Sequence, residues 1–208
     1  MPPQPVASVT TTGRRAQQKA STRAAITTAA QRLIARRGFD DVKVGDIAKA
    51  ATVSHRTFYR YFPSKEAAFV ADFQDFIDAF VSLVASRPTE EHPIDSLLAT
   101  VDTIAVSVPL DADSFNWVWE LIEREPALAG VQHRLLINAQ DRMTTLFATR
   151  LGVSSATLEP RILAAGATAA YQAAVRTWVL IPAAERTTTI WQLGREAIQR
   201  FAGGLDVR

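Results

Sequence analysis

The chain contains no cysteine, which removes disulfides, thiolate metal sites and cysteine nucleophiles together. No apolar run reaches the roughly 18 residues that a spanning helix needs, so a membrane segment is not expected. The first turns of sequence lack the apolar core of a secretion signal, and the expected location is cytoplasmic. Histidine is scarce, with only His55, His92 and His133. No HExxH, P-loop or GxGxxG pattern occurs, and no convergent acid–base set can be assembled. The expectation is therefore a protein that is not an enzyme and takes no cofactor or metal. Period-two alternation of apolar and polar residues is also missing, as is any internal repeat, so the expected fold class is all-α.

Lysine stops at Lys65, and that asymmetry leads to what is present. The 208 residues carry a net charge of only +2. Residues 14–66, however, hold twelve Lys/Arg against four Asp/Glu, a net of +8, whereas residues 67–208 hold eleven against seventeen, a net of −6. Uneven scatter of solvated charge is one account. A cationic N-terminal module that binds a polyanion is the other, and an acidic remainder would leave one face to dock on DNA.

The helical pattern divides the chain further. Residues 1–20 combine three prolines, a Ser/Thr stretch and the cations Arg14, Arg15 and Lys19; they are expected to be a mostly disordered basic tail. A first helix is expected over 22–37, with Ile26, Ala30 and Leu33 inward and Gly38 as its stop. A short helix over 44–50 and another over 54–61 follow, the second ended by Pro63. Ser64 would cap a long fourth helix whose apolar stripe is Phe69, Phe73, Phe76, Phe80 and Val84. Further helices are expected over 93–108, 114–125, 126–151, 155–181 and 184–202, about nine in all, with a break over 109–113.

The segment VGDIAKAATVSHRTFYRYFPSKE, residues 44–66, is the most informative. Its second short helix turns Ser54, His55, Arg56, Thr57, Tyr59, Arg60 and Tyr61 mostly outward: donors, rings and cations of the kind that read base edges and grip phosphates. Residues 26–66 resemble the DNA-binding domain of the TetR family of transcriptional regulators, through Ala29-Ala30, Gly38-Phe39, Val44, Ile47-Ala48, Val53-Ser54, Thr57-Phe58-Tyr59, Tyr61-Phe62 and Ser64-Lys65-Glu66. The resemblance implies a three-helix helix-turn-helix domain over 21–66, joined by a long helix to a ligand-binding and dimerisation domain over 67–208. It makes His55, Arg56 and Tyr59 base-facing, while Thr57, Tyr61 and Lys65 suit phosphates; for Tyr61 the competing role is packing against the first helix. Phe58 and Phe62 belong to a small core. Three residues depart from the family pattern. Lys43 replaces a capping threonine, so Asp40 or Asp41 is the expected acceptor and Lys43 would hold phosphate by charge. Thr52 replaces the turn glycine. Arg56 replaces a glycine and adds a long donor.

The C-terminal domain is read as the site of a small, largely apolar effector. Candidate lining residues are Phe76, Phe80, Ile104, Trp117, Trp119, Leu121, Met143, Phe147, Tyr171 and Trp178; ordinary core packing is the competing role for each. The segment WVWELIEREPALAG resembles a C-terminal type of actinobacterial regulators, some of which sense acyl-CoA thioesters. Small residues in the eighth helix let another helix approach closely. With the ninth they give a candidate dimer seam of Gly166, Ala170, Ala173, Ile190, Gly194, Ala197 and Phe201, for which intrachain packing is the alternative. The family dimerises through its last two helices. The function expected is a homodimeric repressor, released from a palindromic DNA operator by an apolar effector. An effector-independent repressor or activator with a filled core is the alternative.

Overall fold

The computed structural model describes residues 11–107 and 111–204, and those residues form ten α-helices and one 3-10 turn, with no strand among them. The chain forms two compact units, divided after Asp72.

The first unit contains α1 (Thr11–Arg37), α2 (Val44–Ala50), α3 (His55–Tyr61) and α4 (Lys65–Phe69). Helix α1 buries Ile26, Thr27, Ala29, Ala30 and Ile34, a stripe confined to its C-terminal half, with Leu33 half-buried beside it. It ends at Gly38, whose N–H donates to the Ile34 carbonyl at 2.9 Å and whose φ is +84°. That left-handed residue is where glycine costs least. The start of α1 corrects the expected tail. Residues 11–20 are helical, because the prolines all lie earlier and the Ala, Gln, Arg and Lys that follow are good helix formers. Residues 1–10 of that expected tail lie outside the described residues.

At the start of α2 neither Asp40 nor Asp41 is the acceptor. Asp46 accepts from the Lys43 backbone N–H at 3.0 Å and pairs with Arg37 at 3.5 Å. The Lys43 N–H foremost, and the Arg37 charge, hold its carboxyl below the ordinary range. The α2–α3 turn is closed by Thr52 N–H to Lys49 O at 3.1 Å and Val53 N–H to Ala48 O at 2.9 Å. This closure forces Thr52 to φ +56°.

The expected single fourth helix is broken. Helix α4 stops at Phe69, Val70 leaves helical geometry at φ −89° and ψ 14°, and α5 (Ala71–Ser86) begins anew. The Gln31 amide donates to the Phe69 carbonyl at 3.2 Å, an acceptor that a continuous helix would give to its own next turn. Ala68, Phe69, Val70 and Ala71 are all buried, so packing on every side, not one amphipathic face, sets this turn.

The second unit continues with α6 (Pro93–Ser107), α7 (Ala112–Arg124), α8 (Pro126–Leu151), α9 (Leu158–Leu180), the 3-10 turn Ala183–Glu185 and α10 (Ile190–Gly203). Helices α8 and α9, α9 and α10, α6 and α10, and α7 and α8 pack side by side. One core joins Val81 and Val84, Leu97 and Val101, Leu136, Met143 and Phe147, Ala164 and Ala167, and Ile198. A second gathers Trp119, Val175, Trp178 and Ile190. In the expected break, Asp111 caps α7 by accepting from the Asp113 N–H at 3.2 Å and the Ser114 N–H at 3.4 Å, and it also accepts from the Ser114 hydroxyl at 2.6 Å; residues 108–110 lie outside the described residues. Helix α10 starts six residues after the expected 184, because the chain before it is tied down. Trp178 Nε1 donates to Thr188 O at 3.1 Å, Arg186 Nε donates to Ile181 O at 3.0 Å, and the Arg186 guanidinium lies 4.0 Å from the Trp178 ring centroid. Thr189 and Gln192 then form a reciprocal capping box. Arg150 closes the end of α5, donating to the carbonyls of Val84 at 2.6 Å and Arg87 at 3.3 Å, and to that of Pro88. A cation at that helix end also complements its dipole.

The strained turn gives a direct expectation. A left-handed β-branched residue costs about 1–2 kcal/mol, and glycine returns about 0.5–1 kcal/mol of that as lost chain entropy. Thr52→Gly should therefore stabilise the protein by about 0.5–1 kcal/mol. Urea denaturation checks it, and an unchanged or lower midpoint would show that the turn carries no strain.

Candidate nucleic-acid interface

Helix α3 is placed by its two ends. The Ser54 hydroxyl accepts from the Thr57 N–H and donates to the Thr57 hydroxyl oxygen, both at 3.0 Å, which leaves the Thr57 hydroxyl proton free to donate outward. Phe58 and Phe62 are buried and orient the helix. Ser54, His55, Arg56, Tyr59 and Arg60 are exposed, and Thr57 and Tyr61 are half-buried, as the helical period predicts. The Tyr59 ring meets Phe58 edge-on at 5.5 Å, so a 56% exposed aromatic is held in one attitude. Arg60 stacks over Tyr61 at 5.3 Å.

Two residues take positions that the sequence does not show. The His55 ring covers Gly45 of α2: a Cβ on Gly45 would stand 2.9 Å from His55 Nε2. His55 is thus exposed yet seated on the neighbouring helix. Lys65 corrects the expected phosphate contact. Its ammonium donates to Phe39 O at 2.6 Å and Val42 O at 3.1 Å and lies 4.1 Å from the Phe39 ring centroid. Two of its three protons close the loop between α1 and α2 instead of facing outward. Lys43 is exposed.

In the second unit an apolar cavity of about 80 Å³ lies among α5, α6, α8, α9 and α10. One water needs about 10–15 Å³, so the space exceeds a packing defect. Phe76, Phe80, Ile104, Met143 and Tyr171 line it, with Leu97, Leu136, Thr168, Trp191 and others. Its only hydroxyls are those of Thr168, which donates to Ala164 O at 2.9 Å, and Tyr171, whose ionisation burial pushes well up. No ionisable cation or carboxylate stands in the wall. Trp117, Trp119, Leu121, Phe147 and Trp178 do not line it. Trp119 and Trp178 pack together in their own cluster, Phe147 is fully buried in the main core, Leu121 is buried in α7, and Trp117 is half-buried there.

The proposed seam residues also divide. A Cβ on Gly166 would lie 2.0 Å from Phe201 Cζ, so this pair locks α9 to α10 within one chain. Ile190 is core, and both Ile190 and Gly194 face the apolar cavity. Ala170 is 7% exposed. Five of the seven, Gly166, Ala170, Ala173, Ala197 and Phe201, line one open groove between α9 and α10, together with Ala169, Glu196 and Arg200.

Comparison with known proteins decides the family. Residues 26–71 match the model for bacterial regulatory proteins of the tetR family, and residues 91–205, more than half the chain, match the MftR C-terminal domain. The chain belongs to the TetR family. The transcriptional regulator TcmR of Streptomyces glaucescens is 26% identical over 175 residues, 81% of this chain and 77% of its own. The SmeT–triclosan complex superposes with a TM-score of 0.61 at 18% identity, covering 88% of this chain and 90% of that one. Thermus thermophilus FadR in complex with lauroyl-CoA superposes with a TM-score of 0.54 at 22% identity, covering 89% and 96%. These two share the fold.

This TetR-family chain is accordingly a DNA-binding transcriptional regulator and not an enzyme. Among the described residues no group of His, Asp and Glu could hold a metal, and no helix is long and apolar enough to cross a membrane. Sequence reasoning missed Gly45, Gln31 and Arg150, since each acts on a partner distant in sequence or across a turn. Lys65→Ala should cost about 1–3 kcal/mol of stability by abandoning two loop carbonyls, and thermal unfolding reads it. A variant as stable as wild type, with a shallower salt dependence of DNA binding, would restore Lys65 to the phosphates.

Proposed function

We propose that this TetR-family regulator is a homodimeric repressor, carried by α3 into successive major grooves of a palindromic operator and released by a small, neutral, apolar effector. The observation that carries the DNA arm is the outward set Ser54, His55, Arg56, Thr57, Tyr59 and Arg60 on a helix anchored by Phe58. Arg56 suits a bidentate grip on guanine, His55 and Tyr59 suit base edges, and Lys43, Thr57, Arg60 and Tyr61 suit phosphates. An intracellular location follows from this partner.

Dimerisation is supported by α9. Leu158 is 66% exposed, Ile162 50% and Leu180 82%, and with exposed Ala169 and Ala173 they lie on one face of α9, interrupted by the exposed Arg176. Such a face is stabilised by being covered. The cavity supports the effector, because its wall offers hydroxyls and rings but no charge to neutralise an ionic ligand. SmeT with triclosan is an example of the same fold holding a largely apolar molecule; the lauroyl-CoA of FadR joins an apolar acyl chain to a polyanionic CoA, for which this cavity wall has no cation. A ligand that favours the state with the α3 helices wrongly spaced releases DNA.

Arg56→Ala/Tyr59→Ala should weaken binding to the cognate operator by about 1–3 kcal/mol for each base no longer gripped and relax base preference. Fluorescence anisotropy on operator and scrambled duplexes checks this, and sedimentation of the complex should count two chains per palindrome. Unchanged operator affinity in the folded double variant would sink the α3 assignment, and one chain per palindrome the dimer.

Gly194→Leu tests the effector arm, since a Cβ there meets no atom within 4 Å and Gly194 borders the cavity. The variant should gain about 1 kcal/mol from helix propensity and lose the melting shift that an apolar ligand gives wild type. A hydrophobic panel that shifts neither melting nor operator affinity of wild type would favour an effector-independent regulator.

A further inference from the structure

Residues 14–25 of α1 are cationic, and none of them is buried. Over its full span, residues 11–37, the helix has seven cations and no acidic residue. From residue 14 onward, the first buried residue is Ile26. Residues 14–21 are all exposed, among them Arg14, Arg15, Gln17, Gln18 and Lys19. Twelve residues ahead of Ile26 correspond to about 18 Å of helix at 1.5 Å per residue, built without an apolar stripe. A helix lacking such a stripe cannot seat in a hydrophobic groove or lie in a membrane interface.

Its point of departure is defined. The Arg23 guanidinium lies 5.2 Å from the ring centroid of Phe62, and Phe62 is the residue that ends α3. The base of the arm therefore lies beside Phe62, at the C-terminal end of the recognition helix.

We propose that residues 14–19 form a second DNA contact, a helical arm that places Arg14, Arg15 and Lys19 on the phosphates flanking the half-site read by α3. This rests on the DNA-binding reading and adds a separate element to it. The contact is electrostatic: cations on phosphates fix register and add affinity without reading sequence. The arm lengthens the stretch of duplex that each chain covers, and makes tight binding depend on DNA beyond the recognised bases.

The test is the triple variant Arg14→Gln/Arg15→Gln/Lys19→Gln, whose changes lie on exposed positions. Operator affinity is measured against salt, with circular dichroism to show that the helical content is kept. Each phosphate deprived of its cation lowers the slope of log K on log salt by about 0.9. The slope should therefore fall by about 2–3 per chain, with base preference unchanged. Trimming the duplex to the bare palindrome should weaken wild type and leave the variant nearly unaffected. An undiminished slope in the folded variant, or equal sensitivity of both proteins to trimming, overturns the arm. Wild type that binds no duplex at all would instead overturn the operator reading, so the two failures are separate. Loss of base preference in the variant would also overturn the proposal, because it would make the arm a sequence reader.

Discussion

Every functional feature of the first unit depends on the six residues that close α2 against α3. The Val53 N–H reaches back to the Ala48 carbonyl at 2.9 Å, and this bond requires a left-handed residue at Thr52. With that turn made, Ile47, Ala48 and Phe58 are buried, and the opposite face of α3 has no choice but to face outward. Side chains that could read DNA are useful only in one fixed orientation. The strain at Thr52 and the close seat of His55 on Gly45 are both consequences of holding α3 there.

Charge is divided in the same way. Lys65, Arg37 and Asp46 use their charge inside the unit, on loop carbonyls, a cap and one another. Lys43, Arg56, Arg60 and the cations of the α1 arm are exposed. Composition counts all of them alike, yet only the second group can add to a polyanion's attraction at contact distance. The net of +8 thus overstates the charge that the first unit leaves free for a polyanion.

In the second unit small residues decide two things at once. Gly166 admits the Phe201 ring onto the backbone of α9, so α9 and α10 approach closely within one chain. The same approach leaves Ala169, Ala173 and Ala197 along an open groove on one side, and an apolar cavity among five helices on the other. Ala174 borders both the cavity and the groove. A molecule that swells the cavity would push on the helices that form the groove, which gives a short mechanical route from ligand to assembly.

Much of this was legible in the sequence because it depends on short-range physics. The helical period places Phe58 inward and Arg56 and Tyr59 outward, and Pro126 and Gly152 bound α8 at 126–151; at position 52 the lack of glycine suggests an adjusted turn, yet the turn keeps its left-handed residue. Residues 11–20 have a helix-forming composition without an apolar period, and such a stretch reads as a disordered tail because periodicity reports burial and not helicity. What only the tertiary structure decided depends on pairs far apart in sequence. Gln31 takes the Phe69 carbonyl and breaks the connecting helix. Phe39 and Val42 capture Lys65. Phe201 occupies Gly166, and Trp178 sits with Trp119 instead of lining the cavity. A residue's type sets which bonds it can make; which partner lies within reach is set by the packing of the whole unit, and no local pattern carries that information.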